Sequence, residues 1–112
     1  MIAPRLSHAL VLQDPRQVQD GAGGFVQTWV PLGTLWAEVE ARSGRESEGA
    51  AGPVSVGAFR ITVRAAPEGS DARPRAGQRF ALGARRFRIT AVTTRDRAGH
   101  FLLCHAEEER AS

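Results

Sequence analysis

Alternation of apolar and polar side chains with a period of two is the feature that most constrains the fold of this chain. The clearest example is the segment 59–64, in which Phe59, Ile61 and Val63 alternate with polar residues. Successive side chains of a β-strand point to opposite faces, so this segment is expected to be a strand with one buried side. No comparable segment has the periodicity of an amphipathic helix, and the sequence therefore predicts an all-β protein.

The same pattern recurs along the whole chain at short intervals. Strands are predicted over 6–12, 25–30, 34–41, 54–64, 78–82, 85–94 and 100–106. The alternation also predicts the side chains on the inner faces, which are Leu6, His8, Leu10, Leu12, Leu35, Ala37, Val39, Phe59, Ile61, Val63, Phe87, Ile89 and Ala91.

Turn-forming residues separate the predicted strands. Asp14-Pro15, the glycine-rich segment 20–24, Gly83-Ala84 and the segment 96–99 all have turn chemistry. Pro31 and Gly33 interrupt the second apolar stretch, so we expect 25–30 and 34–41 to form a hairpin.

The length of the chain decides how these strands are arranged. With 112 residues, the chain is long enough for one domain, 1–112, but provides few strands to cover two packed sheets. Closing one sheet on itself buries the inner faces and removes exposed edges. We therefore expect a small, partly open antiparallel β-barrel.

Two polar segments are expected to lie outside the barrel. The segment 42–53 has almost no large apolar residue and cannot offset the entropy of ordering it, so it is predicted to be a long, mobile, projecting loop. Long loops in compact domains are usually functional. The segment 107–112 is predicted to be a polar C-terminal tail.

Motifs for catalysis or for metal binding are not evident. The sequence has no glycine-rich phosphate loop and no histidine and cysteine spacing typical of zinc sites, because His8, His100 and His105 are scattered. Cys104 lies in an apolar stretch and is expected to be buried and inert. We predict no catalytic residue, no metal and no cofactor. The chain also lacks an apolar run long enough for a membrane helix and lacks the features of a signal peptide, so we expect a soluble protein made in the cytoplasm.

The charge of the chain is mildly basic. Fifteen basic residues, all arginines, oppose 12 acidic ones, which gives a net charge of +3. Many arginines lie between positions 73 and 97, and they could contact a phosphate backbone or an acidic partner. We favour the simpler interpretation that they form the polar sides of the strands and are balanced by glutamates, because no aromatic residues for base stacking are interleaved with them.

Several motifs in a fixed order carry a resemblance to a known family. These are Arg5-Leu6-x-His8, Asp20-Gly21-x-Gly23-Gly24, Gln27-Thr28-Trp29, Leu35-Trp36-Ala37-Glu38-Val39, Phe59 to Arg64, Phe87 to Val92 and Leu102 to Glu108. In this order the chain resembles the head-tail joining family, the head-closure or stopper proteins of long-tailed phages and gene transfer agents.

The resemblance implies a structural protein rather than an enzyme. Its members form a ring in the neck of the particle, between the portal and adaptor complex and the tail terminator or tail tube, and retain the packaged double-stranded DNA. A sixfold ring is favoured over a twelvefold one. A projecting loop narrows the channel in the family, and its counterpart here is 42–53, with the gating residues Ser43, Gly44, Arg45, Glu46, Ser47, Glu48 and Gly49. The loop 67–74 is a second candidate.

A ring also implies contacts between neighbouring subunits. The interface residues predicted from the exposed faces of the strands are Trp36, Arg60, Arg64, Arg86 and Arg88. The alternatives are a sibling neck protein (adaptor or tail terminator), a nucleic-acid-binding barrel of the OB type, and a small enzyme. Whether the particle is a phage or a gene transfer agent stays open.

Overall fold

The computed structural model describes residues 3–42 and 57–109, which form six antiparallel strands. The strands are β1 (His8–Gln19), β2 (Phe25–Ala41), β3 (Ala58–Arg64), β4 (Arg79–Leu82), β5 (Arg85–Thr94) and β6 (Phe101–Glu108). These two ranges contain no helix, and so none that could cross a membrane.

The strands form one closed sheet in the order β1-β2-β3-β6-β5-β4. Pairing of Val11, Leu12 and Gln13 in β1 with β4 closes the ring. The prediction of an all-β, small antiparallel barrel is confirmed, and the barrel is closed rather than partly open. The segment 43–56, which contains nearly all of the predicted projecting loop, lies outside the described residues.

Side chains from all six strands fill the interior of the barrel. Phe80 and Phe87 are the largest of those that are fully buried, and Phe59 packs edge-on against Phe87 with ring centroids 5.0 Å apart. The other members of the core are Leu10, Leu12, Ala37, Ile61, Val63, Ile89, Leu102, Cys104 and Ala106. Alternation predicted most of this core correctly, although His8, expected on the inner face, is exposed.

The predicted connection between the first strands is wrong. Asp14-Pro15 is not a turn but lies inside β1, and 25–30 and 34–41 are not a hairpin but parts of one strand, β2. Among the described strands, β1 beyond Gln13 pairs with β2 alone. The ring of Pro15 can therefore occupy the other edge of β1, where it removes no ladder hydrogen bond to a described strand. The true hairpin joins β1 to β2 through the turn at 20–24.

One core position predicted in β5, Ala91, is wrong because the strand contains a bulge. The pairing of β5 with β6 shifts between Ile89 and Ala91, which leaves Thr90 as an extra residue. An extra residue reverses the alternation of faces after it. Ala91, predicted to face inward, is therefore exposed, and Val92 packs against the core instead.

The C-terminal strand is longer than predicted. The last strand was expected to end at Ala106, but β6 runs through Glu108, so the first two residues of the predicted tail are part of the sheet. Residues 110–112 lie outside the described residues.

The connections divide between the two ends of the barrel. The turn at 83–84 and the ends of β2 and β3 that flank the segment 43–56 lie at one end. The loop 65–78, the turn 95–100 and the β1–β2 hairpin lie at the other end. The second predicted candidate for a channel loop, 67–74, therefore lies at the end opposite the strand ends that flank the segment 43–56.

A polar strap crosses the outer surface of the sheet. The Arg95 guanidinium donates hydrogen bonds to Glu38 Oε1 at 2.9 Å and to Thr62 Oγ1 at 2.7 Å. Thr62 is on the outer face of β3, yet it is fully buried beneath this arginine. The hydrogen bond from Arg95, together with one from the Arg5 backbone N–H, holds the pKa of Glu38 below its ordinary value of 4.5.

Because of the bulge in β5, charged substitutions at the adjacent residues Ala91 and Val92 are expected to differ in their effect on stability. We expect Val92→Asp to lower the free energy of unfolding by about 2–4 kcal/mol, because it directs a charge towards the core. Ala91→Asp, on the exposed side, should change it by less than about 0.5 kcal/mol. Urea denaturation of both variants measures the difference. Equal losses of unfolding free energy would show that the alternation of strand faces is not reversed at Thr90.

The strap predicts a specific pH dependence of stability. Because the pKa of Glu38 is lowered by folding, its contribution is complete above its ordinary value of 4.5 and is lost as the pH falls through the lowered folded-state value. We expect Glu38→Gln to cost about 1 kcal/mol at neutral pH and progressively less as the solution is acidified. Denaturation at a series of pH values measures this.

The matched control is Glu68→Gln, which neutralises an exposed loop carboxylate. Its unfolding curve should follow that of the parent protein at every pH. A constant difference between Glu38→Gln and the parent from neutral to acidic pH would contradict the role assigned to the Glu38 charge.

Candidate functional site

Trp36 is the most prominent predicted interface residue on the barrel. It lies on the outer face of β2, is exposed, and is directly paired with the exposed Ala9 of β1. The register of β2 with β3, which pairs Ala37 with Val63, brings the exposed Arg64 next to it on the other side. We call Ala9, Trp36 and Arg64 the tryptophan patch.

Arg60 lies at the other end of β3. It borders a shallow polar depression together with Glu40, Ala41 and Arg42, beside the point where the segment 43–56 leaves the barrel. The predicted gating residues Ser43 to Gly49 belong to that segment and lie outside the described residues.

Arg86 and Arg88 have contacts within the chain. Arg86 Nη1 donates to the carbonyl oxygens of Gly83 at 2.7 Å and Arg85 at 2.9 Å. Arg88 lies 3.4 Å from Glu107 on the neighbouring strand. The five predicted interface residues therefore do not form one site, because Trp36 and Arg64 meet near one end of the barrel and the others lie near the opposite end.

The adjacent Arg85 forms the strongest ion pair of this region. It binds both carboxylate oxygens of Glu108, at 2.8 and 2.9 Å, and its guanidinium lies 4.9 Å from the centre of the Phe87 ring. A bidentate pair of this kind favours both charged forms. It raises the pKa of Arg85 and lowers the pKa of Glu108. Glu107 and Glu108 thus join β6 to β5 through ion pairs and do not belong to a free polar tail.

The second candidate for a channel loop, 67–74, is held by internal hydrogen bonds. The backbone N–H of Ser70 donates to Pro67 O, and that of Arg73 donates to Ser70 O, both at 3.0 Å. The Arg73 side chain also donates to Ala66 O, and Pro74 is buried. The hydrogen bonds give the loop a defined shape, and the burial of Pro74 anchors its C-terminal end.

A long two-stranded arm is the feature that sequence reasoning missed. Among the described residues, β1 after Gln13 and β2 before Leu32 pair only with each other. The ribbon formed by 14–19 and 25–31 therefore has no further described strand on either side. Its tip exposes Val18, Phe25 and Val26. The alternation of Val18 with glutamines, after the proline, was the sequence signal that could have revealed it.

The tip of the arm is a tightly bonded turn. Asp20 Oδ1 accepts hydrogen bonds from the backbone N–H groups of Ala22 at 2.7 Å and Gly24 at 3.0 Å, which lowers the pKa of Asp20. Gly21 and Gly23 have positive φ angles of 85° and 92°, which only glycine adopts without strain. The turn therefore has a defined shape.

Side chains from β4 and the preceding loop brace the base of the arm. Gln78 Nε2 donates to Asp14 Oδ1 at 2.8 Å, and Arg75 approaches the same carboxylate at 3.6 Å. The hydrogen bond from Gln78 is the main reason that the pKa of Asp14 is lowered. Arg79 lies over the Trp29 ring at 4.1 Å, a cation–π contact. The arm is thus fixed relative to the barrel.

Cys104 is buried in the core, and burial raises the pKa of its thiol to about 12, so it is not a reactive nucleophile. Among residues 3–42 and 57–109, no three acidic, histidine or cysteine side chains are grouped to hold a metal ion.

Comparison with known structures finds similar chains, and two of them align with nearly the whole of this chain. One belongs to the virion of a native gene transfer agent particle, has 50% sequence identity, and superposes with a TM-score of 0.81 over 98% of this chain and 100% of the other. The second, protein SF1141 from Shigella flexneri 2a, has 24% identity and a TM-score of 0.71 over the full length of both chains, which supports the fold alone. Among curated proteins, none is significantly similar to this chain.

A family model settles the classification. The model that describes the phage head completion protein matches residues 1–109, which is nearly the whole chain. The family resemblance predicted from the sequence is therefore confirmed, and this chain belongs to the phage head completion protein family.

Proposed function

We propose that this protein is the head-closure (stopper) protein in the neck of a gene transfer agent particle. The observation that carries the proposal is the 50% identity, over essentially both full chains, to a component of a native gene transfer agent virion. In this role the protein is structural and carries out no catalysis. Copies of it form a ring, sixfold rather than twelvefold, between the portal and adaptor complex and the tail terminator or tail tube.

The filled interior of the barrel supports a ring of several copies. Phe80, Phe87 and the other core side chains occupy the interior of the sheet, so DNA has no path through a single subunit. A DNA channel must instead be enclosed by several subunits arranged around an axis. Each subunit then needs two different lateral surfaces that meet head to tail.

The distribution of charge suits a channel through which DNA slides. Arg79, Arg85, Arg88 and Arg95 all form ion pairs with glutamates of the same chain. Paired guanidiniums offer little attraction to phosphates, which weakens the alternative of an independent nucleic-acid-binding barrel. The adaptor and terminator alternatives are less well supported than head completion, which is the description of the matching family.

The channel loop is proposed on the resemblance alone. Ser43 to Gly49 are the candidate gating residues because their position after β2 corresponds to that of the projecting loop of the family. The loop 67–74 is the weaker candidate, since internal hydrogen bonds fix its shape.

Deletion of the gene in a cell that produces the particles tests the proposal. We expect heads without attached tails, which lose their DNA after packaging, so that the amount of nuclease-protected DNA falls. Electron microscopy and nuclease protection measure the two effects.

Two controls separate this role from an effect on expression. Supplying the intact gene from a plasmid should restore tailed, DNA-filled particles. Supplying the Val92→Asp variant, in which the core is disrupted, should not. Complete particles with tails and protected DNA in the deletion strain would contradict the proposed function.

A further inference from the structure

Large exposed apolar side chains are concentrated on one hairpin. In the described part of the chain they are Val18, Phe25, Val26 and Trp36, with 47%, 61%, 48% and 58% of their surfaces exposed. The first three lie at the tip of the arm, and Trp36 lies on the barrel. Exposed apolar groups of this size typically mark interaction surfaces.

The two apolar surfaces are too far apart to contact each other within one chain. Ten residues of β2 separate Val26 from Trp36, which corresponds to about 30 Å along a strand. The braced base and the bonded turn hold the arm away from the barrel. One subunit therefore presents two separate apolar surfaces at a fixed distance.

The tip is apolar on both faces of the ribbon. Val18 and Val26 are direct cross-strand partners and share one face, whereas Phe25 is opposite Gln19 and points to the other face. A tip of this kind offers an apolar surface on whichever face meets a partner. Because its shape is fixed in advance, little conformational entropy is lost when it binds.

The charges of the two surfaces are complementary. Between positions 17 and 28, Asp20 is the only charged residue, so the tip is weakly anionic. The tryptophan patch has the opposite character, because Arg64 is exposed beside Trp36 while the nearby Glu38 is already paired with Arg95. An anionic, apolar tip fits a cationic, aromatic surface.

We propose that the arm tip of each subunit docks on the tryptophan patch of a neighbouring copy of this chain. This inference rests on the proposed function and names the contact that joins the ring. Two unlike surfaces on one chain give a heterologous contact, and repetition of that contact closes a ring. The arm is then the element that spans from one subunit to the next.

Cysteine cross-linking in purified particles tests the contact directly. We expect the double variant Val18→Cys, Trp36→Cys to give a ladder of covalent multimers with a short bismaleimide, since both positions are exposed. The native Cys104 is buried and does not interfere. Each single variant is the control and should stay monomeric on a denaturing gel.

The outcomes distinguish failure of the proposed contact from failure of the proposed function. A neck ring visible by electron microscopy without cross-linking of the double variant would overturn the docking proposal and leave the proposed function intact. Dimers from Val18→Cys alone would also overturn it, since the tips would then meet each other. Absence of any neck ring of this protein in particles made with the unsubstituted chain would overturn both.

Substitution at the tip provides a second, independent measurement. We expect Phe25→Ser to reduce incorporation of the protein into particles by about tenfold or more, as for an apolar residue at the centre of an interface. Ala84→Ser, in the exposed turn 83–84 at the opposite end of the barrel, should have no effect. Unchanged melting temperatures establish that both variants fold, and normal incorporation of Phe25→Ser would contradict the contact.

Discussion

Closure of the sheet between β4 and β1 is the constraint on which the rest of the structure depends. Only three residue pairs make this junction, from Val11 with Ala81 to Gln13 with Arg79. Yet they bring the inner faces of all six strands around one interior, where Phe80 and Phe87 fill the centre. An open sheet of this size would leave one side of those aromatic rings in water, at a cost of about 2 kcal/mol for each ring.

The short length of the junction also creates the arm. β4 pairs with β1 only as far as Gln13, and β3 pairs with β2 only from Ala37 onward. The rest of the first hairpin continues beyond the barrel, and no described strand pairs with either of its edges. An isolated ribbon is only marginally stable, so the contacts of Asp14 with Gln78 and of Trp29 with Arg79 are needed to hold it. A compact barrel thereby acquires a rigid element able to reach another molecule.

Sequence reasoning succeeded where a residue's role depends on its immediate neighbours. Alternation identified the inner faces of β2 and β3 because strand geometry alone directs their side chains. It failed at Ala91 and Val92, since the bulge at Thr90 results from pairing with β6 and leaves no local signature. It also failed at Pro15, where turn chemistry was inferred although the residue lies on a free strand edge.

The same division applies to the candidate site. The exposed position of Trp36 was predictable from its neighbours in β2, and the order of motifs was sufficient to predict the family. The partners of the arginines were not predictable, because Arg85 and Glu108 are 23 residues apart and meet only when β5 and β6 pair. The exposed arm was hidden for the same reason.

The sequence by itself determined that this chain forms β-strands with one apolar side, and it determined the family, since both are encoded in local patterns and their order. Only the tertiary structure decided where the pairing of each strand with its neighbours ends, which charged side chains form ion pairs, and which apolar residues remain exposed. Those properties depend on contacts between distant segments, and alternation within a strand carries no information about them.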